Sequence, residues 1–258
     1  MKLRSSRETT VVLTPERFAA VIFDLDGVVT DTARAHAAAW KEMFDALLSR
    51  EHGSGSPLPR PFDDFDYRNY VDGRPRYDGV VSFLGSRGIE LPRGSPSDDP
   101  DQVTVCGLGN RKDELFRQRI RTHGVAVYPG AVETIRQLRA VGIRTAVVTA
   151  SKNCQEVLEA AGIAGIFEVT VDGHDQAVLG LPGKPAPDTF LEAARRLATP
   201  PARAVVFEDA LVGVQAGKAG GFGMVVGVDR TGNPHLLLAA GADIVISDFA
   251  EVVVVVVS

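Results

Sequence analysis

Asp24 and Asp26 stand one residue apart in "FDLDGVVTDT", directly after the apolar run Ala19 to Ile22. Two carboxylates that close repel one another and are costly to hold near a core unless a cation or a ligand offsets them. Other stretches carry matching chemistry. "TAVV" is followed by Thr149 and then "ASKN" (Ala150, Ser151, Lys152, Asn153), "AVVF" is followed by Glu208 and Asp209, and Lys184 lies in "GKPAPD". A carboxylate can attack phosphorus and so divide one hard displacement into two easier ones. Mg2+ takes oxygen ligands from one or two carboxylates plus a phosphate, which would relieve the repulsion within the opening pair. Thr149, backbone N–H groups and Lys184 could grip the remaining phosphoryl oxygens, leaving Asp26 to move a proton to or from an alcohol oxygen. The inventory predicts phosphoryl transfer through an aspartyl phosphate with Mg2+.

These residues can act together only if the fold gathers them. Apolar runs at 20–23, 145–149, 168–171, 204–207, 224–228 and 243–246 lack the in/out alternation of a one-faced sheet and read as buried parallel strands. Helical patterns alternate with them; "AVETIRQLRAVG" (131–142) places Val132, Ile135, Leu138 and Val141 on one face. The expected fold class is therefore α/β, a doubly wound parallel sheet with a Rossmann-like core. In such sheets ligands bind beyond the carboxyl ends of the strands, where Asp24, Thr149, Glu208 and Asp209 are expected. The prolines of "GKPAPD" should fix the entry of the following helix at an N1-type position.

Between the first strand and residue 128 the alternation breaks. Residues 32–50 read as a helix with Ala33, Ala37, Trp40, Phe44 and Leu47 on one stripe, followed by Gly/Ser/Pro-rich loops, a short helix near 77–88 and a helix over 110–124. This predicts an inserted helical cap over 35–127, with 1–34 and 128–258 forming the core. His36 lies one helical turn beyond Thr32, so both could face the cleft. On the cap, Arg76 with Arg111 or Lys112 could clasp the far end of an anionic substrate, because a guanidinium grips phosphate in a bidentate fork. The C-terminal "EVVVVVVS" leaves a last strand, a sticky tail or a low-complexity peculiarity open.

The bulk properties narrow the field. The net charge is -5 and no run of lysine and arginine interleaved with aromatics is present, which argues against nucleic acid as a partner. Two cysteines, Cys106 and Cys154, are too few for a disulfide framework and favour a reduced setting. No segment approaches the roughly 20 consecutive apolar residues of a membrane span. A soluble, cytoplasmic monomer with no membrane partner is expected.

"DLDGVVTDT", "VTASKN", "GKPAPD" and "VFEDALVGVQAG" resemble, in order, the four motifs of the haloacid dehalogenase superfamily. "DGVVTDTARAHAAAW", "DGRPRYDGVVSFL" and "GNRKDELF" are similar to segments of its β-phosphoglucomutase-like subgroup, whose cap is inserted after the first motif. The resemblance implies Asp24 as nucleophile and Asp26 as acid/base. It implies Mg2+ on Asp24, the backbone carbonyl of Asp26 and Asp209 with help from Glu208. Phosphate contacts from Thr149, Ala150, Lys184 and Asn153, and hinge or substrate roles for Thr32 and His36, follow from it as well. The partner it implies is a small phosphorylated sugar. Two chemistries share such a centre: a mutase, taking β-glucose 1-phosphate to glucose 6-phosphate through the 1,6-bisphosphate, and a phosphatase, in which water attacks instead. A silent binding module would be favoured by loss of Asp24, Asp26 or Asp209, and all three are present.

Overall fold

The computed structural model describes residues 10–50 and 60–255. Among these residues eight strands form two sheets: β1 (Val11–Leu13), β2 (Ala20–Asp24), β3 (Arg144–Val148), β4 (Val169–Val171), β5 (Ala204–Glu208), β6 (Met224–Val228), β7 (Ile244–Ile246) and β8 (Val252–Val254). The main sheet is parallel throughout, in the order β4-β3-β2-β5-β6-β7. All six predicted runs are its strands. Every residue of β2 and β5 is buried, which explains why the runs show no polar alternation.

The α-helices among the described residues are α1 (Ala33–Arg50), α2 (Asp64–Asp66), α3 (Arg76–Ser86), α4 (Val105–His123), α5 (Pro129–Ala140), α6 (Cys154–Ala160), α7 (Gly173–Leu179), α8 (Asp188–Arg196), α9 (Leu211–Ala219) and α10 (Pro234–Ala240). Residues of β2 alternate between two apolar layers, as the two-residue period of a strand requires. Val21 and Phe23 belong to one layer, where Phe23 stacks on Phe207 at 5.2 Å and Phe207 on Phe249 at 5.3 Å. Ala20 and Ile22 belong to the other, against Phe190, Ala193 and Ala194 of α8.

Among the described residues, 33–123 contribute helices and no strand of the main sheet. Their core is aromatic: Phe44 meets Trp40 at 5.3 Å, Phe62 at 5.3 Å and Phe83 at 4.0 Å. Asp66 is fully buried, and Arg60 and Arg87 each donate to its carboxylate at 2.7 Å, the pairing that makes such burial tolerable. Two stretches connect this region to the sheet, and they are held side by side: Asp31 N–H donates to the Ala126 carbonyl and Tyr128 N–H to the Val29 carbonyl, both at 2.9 Å.

Several local expectations are corrected. The buried stripe of α1 is His36, Ala39, Trp40, Met43, Phe44, Leu47 and Leu48, whereas Ala33 and Ala37 are half-buried and lie off it. Helix α4 starts at Val105, five residues before Asn110, where Thr104 caps it by accepting from the Gly107 N–H. Asp64–Asp66 continues into a π-helical turn, Tyr67–Val71, inside a stretch whose composition reads as loop. Pro187 occupies the N-cap of α8 and Asp188 its first position, so proline is not at N1. The valine run resolves into a strand: β8 pairs in parallel with β1, Val252 opposite Val11 and Val254 opposite Leu13. The insert residues 51–59 and the last valines lie outside the described residues. No helix among the described residues is long and apolar enough to cross a membrane.

Candidate active site

Three neighbouring strands end together. In register, Asp24 lies opposite Val148, so Thr149 follows directly beside it, and Phe23 lies opposite Phe207, so Glu208 completes the row. The chain leaves β2 toward β3 on one side and later returns to β5 on the other, so Asp24 stands at the switch point of the sheet, where a crevice must open.

Lys184 enters this crevice from the loop before α8, its Nζ over the Phe190 ring at 4.8 Å. It donates to Asp24 Oδ1 at 2.5 Å and to Glu208 Oε2 at 2.7 Å, and all three side chains are buried. Glu208 Oε1 accepts from the Ala210 N–H at 3.0 Å. Burial opposes the charge on Lys184, but Asp24 and Glu208 outweigh it and hold the ammonium protonated. Burial and then Glu208 push the Asp24 carboxyl well above its usual range, with Lys184 offsetting part of the effect.

Asp26 has different surroundings. Its Oδ1 accepts from Thr32 Oγ1 and faces His36 Nε2 at 3.2 Å, and its Oδ2 accepts from Thr149 Oγ1 at 2.9 Å. Burial alone would raise this carboxyl; His36 and the hydrogen bonds from Thr32 and Thr149 overcome that and hold it below the usual carboxylate range. Two acids one residue apart are thus pushed in opposite directions.

The carboxylates of Asp24, Glu208 and Asp209 each offer an oxygen within 4.8 Å of the others. One lysine cannot neutralise three acids, and an all-oxygen donor set suits a hard divalent cation. Gly27 keeps the place open: a Cβ there would lie 1.9 Å from Asp209 Oδ2, and its φ of +90° suits glycine. The cluster fits Mg2+.

Above the cluster a cavity of about 520 Å³ runs to the helices of the 33–123 region, lined on the far side by His36, Trp40, Asp72, Arg76 and Lys112 among others. Lys112 Nζ lies 2.6 Å from His36 Nδ1. Burial and then Lys112 lower the His36 pKa, so the neutral ring accepts at Nδ1 and turns Nε2–H toward Asp26. Arg76 pairs with Asp113 at 2.8 Å through Nη1, while its Nε is buried with no partner.

Residues 18–221 match the haloacid dehalogenase-like hydrolase family. A protein of Mycobacterium bovis named β-phosphoglucomutase is 46% identical over 241 residues, 92% of each chain. The chain belongs to the haloacid dehalogenase-like hydrolase family. A Bacillus subtilis protein of the same name is 31% identical over 90% of each chain, which places this chain in the β-phosphoglucomutase-like branch. A solved structure of CbbY from Rhodobacter sphaeroides in complex with xylulose-(1,5)bisphosphate is 27% identical, covers 92% of this chain and 97% of its own, and superposes with a TM-score of 0.69. This family member is an enzyme, a phosphotransferase or phosphatase.

The crevice gathers Asp24, Asp26, Thr149, Ala150, Ser151, Lys152, Glu208 and Asp209 on its lining, and Lys184 beneath them. Thr32 sits behind Asp26 and holds it. Two candidates are not brought in. Arg111 is an exposed residue on the outer side of α4, paired with Glu114 at 3.3 Å, because one step along a helix turns a side chain by about 100° and Lys112 takes the inward position. Asn153 donates to Asp113 at 2.7 Å and so ties the loop after β3 to α4 rather than facing the cavity. Missed altogether were Tyr67, Asp72, Arg74, Arg93, Asp113 and Gln176, which line the cavity. The charged "DGRPR" around a glycine and a proline was a usable signal for Asp72 and Arg74; Gln176 carried none.

Proposed function

We propose that this enzyme is a Mg2+-dependent phosphomutase that interconverts β-glucose 1-phosphate and glucose 6-phosphate through the 1,6-bisphosphate and an Asp24 aspartyl phosphate. The observation that carries the reading is a single cavity with a phosphoryl-transfer cluster on one wall and cap cations on the other, Lys112 and Arg76 with its unpartnered buried Nε. A bisphosphate intermediate has two anionic ends and must present either to Asp24. The relatives named β-phosphoglucomutase support this reading, as does the bisphosphate held by CbbY.

Asp24 Oδ1 is engaged by Lys184, which leaves Oδ2 as the attacking atom. Asp26, ionised at rest, first acts as a base: it takes the proton of the sugar hydroxyl while that oxygen bonds to the phosphorus of phospho-Asp24 and the Asp24–phosphorus bond breaks. After the bisphosphate turns over, Asp24 attacks its other phosphorus and Asp26 returns the same proton to the departing sugar oxygen, so protons balance over the cycle. Mg2+, held by Asp24, Asp209 and Glu208 with the Asp26 carbonyl, would neutralise charge on the transferring group. Thr149 and Thr32 fix the rotamer of Asp26, and His36 couples it to the cap.

The test is phosphorus NMR of the protein with Mg2+, β-glucose 1-phosphate and a trace of the 1,6-bisphosphate, beside an Asp24→Asn control. Glucose 6-phosphate without free phosphate is the expected result; inorganic phosphate would make the enzyme a phosphatase, and no reaction would send the search to other sugar phosphates.

A further inference from the structure

Gly27 is the loosest joint in the turn that carries Asp26. It has no side chain to hold it, and its φ of +90° lies in the region that favours glycine. The peptide on its N-terminal side is pinned within the turn, because the Gly27 N–H donates to the Thr30 carbonyl at 2.8 Å. A trans peptide points its carbonyl opposite to its N–H, so this bond also sets the direction of the Asp26 carbonyl. The peptide on the C-terminal side is pinned from elsewhere in the sheet: Arg230 Nε donates to the Gly27 carbonyl at 2.7 Å.

Arg230 follows β6, two strands from β2 in the sheet, and it is held firmly itself. Asp229 closes the loop around it, its N–H donating to the Ile246 carbonyl at 2.8 Å and its Oδ1 accepting from the Thr231 and Asn233 N–H groups at 2.9 and 3.2 Å. The guanidinium carbon lies 3.6 Å from the centre of the Tyr128 ring, and Nη1 donates to the Ser247 carbonyl at 3.4 Å. Tyr128 is tied to the chain just after Gly27, through its N–H to the Val29 carbonyl at 2.9 Å and its hydroxyl to Asp31 Oδ1 at 3.1 Å. One guanidinium therefore joins the Gly27 turn to the loops after β6 and β7 and to the chain returning from the 33–123 region.

Stability alone does not account for this side chain. Its Nη2 is buried with no partner, and an unpaired buried donor is costly. A guanidinium is rigid and planar, so a bond from Nε fixes its acceptor in direction as well as in distance. The acceptor here is the carbonyl next to the Asp26–Gly27 peptide, and Gly27 is the residue whose missing Cβ leaves room for the Asp209 carboxylate.

We propose that Arg230 is a positioning residue for the cation site: by holding the Gly27 carbonyl it keeps the Asp26 carbonyl aimed and the space for Asp209 open, and so raises the affinity for Mg2+. This rests on the reading that Asp24, Asp209 and the Asp26 carbonyl hold the cation. It requires nothing of the sugar.

The experiment is calorimetric titration of the metal-free protein with Mg2+ alone, for the wild type, Arg230→Met and Arg230→Lys, with folding followed by urea denaturation. Support for metal ligands from surrounding residues is typically worth ten- to a hundredfold in affinity, so Arg230→Met should weaken Mg2+ by about tenfold or more. Arg230→Lys, which can still donate to the Gly27 carbonyl, should recover part of that loss. Should Arg230→Met not fold, Tyr128→Leu, which withdraws the ring beneath the guanidinium, is read in its place with the same expectation. A purely structural arginine would lower the urea midpoint and leave the Mg2+ affinity of the folded protein at the wild-type value, and that result would overturn the proposal. A lysine variant that binds Mg2+ no better than the methionine one would overturn it too, since the hydrogen bond would then not be the means. An enzyme whose Mg2+ affinity depends on Arg230 in this way, yet which releases inorganic phosphate from β-glucose 1-phosphate, keeps this inference and loses the mutase reading. A working mutase whose Arg230→Met variant binds Mg2+ as the wild type does loses this inference alone.

Discussion

Lys112 on α4 reaches His36 on α1 with 2.6 Å between Nζ and Nδ1, and the other ring nitrogen of His36 faces Asp26 at 3.2 Å. A lysine of α4 is thereby linked through one imidazole to Asp26, the proposed acid/base. The ring accepts on the lysine side and turns its other nitrogen toward the carboxylate without closing a well-aligned hydrogen bond.

That link predicts a pH dependence. Burial lowers the Lys112 pKa from 10.5 to about 8. Below about 8 folded and unfolded chains both hold the proton, and the folded protein bears the full cost of burying it. Between about 8 and 10.5 only the unfolded chain keeps it, so this group makes stability rise with pH. Activity runs the other way, since the neutral amine no longer attracts phosphate. A descending limb of kcat/KM near pH 8 is expected in the wild type, and Lys112→Arg, which stays charged, should move it out of range. A wild-type profile flat to pH 10 would show that Lys112 does not serve an anion.

Lys184 is the only cation bonded to Asp24 and Glu208 among the described residues. Replacing it with methionine strands two buried carboxylates, which should cost about 3–5 kcal/mol in urea denaturation without metal. Added Mg2+ should recover part of the loss, because the same acids belong to the cation cluster. An unchanged midpoint would mean that the acids relax into solvent when the lysine is removed.

Gly27→Ala should act on metal affinity before it acts on anything else. The added methyl would displace the Asp209 carboxylate and also sit at an unfavourable φ. Calorimetric titration with Mg2+ should show affinity weakened by tenfold or more, on the order of the loss typical when a metal ligand's support is removed. Wild-type affinity in the variant would place the cation away from Asp209.

Much of this site was legible from residues 20–26, 145–153, 184 and 204–209, because strand ends and motif order are local properties of the chain. The cap side was less so. Lys112 could have been separated from Arg111 by phase alone: Leu108, Lys112, Leu115 and Phe116 follow the four-, three- and one-residue steps of a buried stripe, and Arg111 does not. Tyr67 and Asp72 offered no such pattern. They sit on a π-helical turn and the bend after it, and contacts of the next residues, Gly73 with Ala210 and Val212 and Pro75 with Gly183, bring them to the cavity. A contact between segments some 140 residues apart leaves no periodicity to find.

Thr149 tests how far the rate depends on holding Asp26 still. Its hydroxyl donates to Asp26 Oδ2 and in turn accepts from the Ser151 N–H at 3.1 Å, so it orients both Asp26, the proposed proton carrier, and the loop proposed to receive the phosphoryl group. Thr149→Val keeps the shape and removes both bonds. A hydrogen bond to a charged group is worth about 1.5–3 kcal/mol, which corresponds to a fall in kcat of roughly 10- to 150-fold. Thr149→Ser, which keeps the hydroxyl, should restore most of it. If the valine variant loses nothing while the aspartyl phosphate still forms, then Thr32 and His36 hold Asp26 on their own, and the position after β3 matters for packing alone.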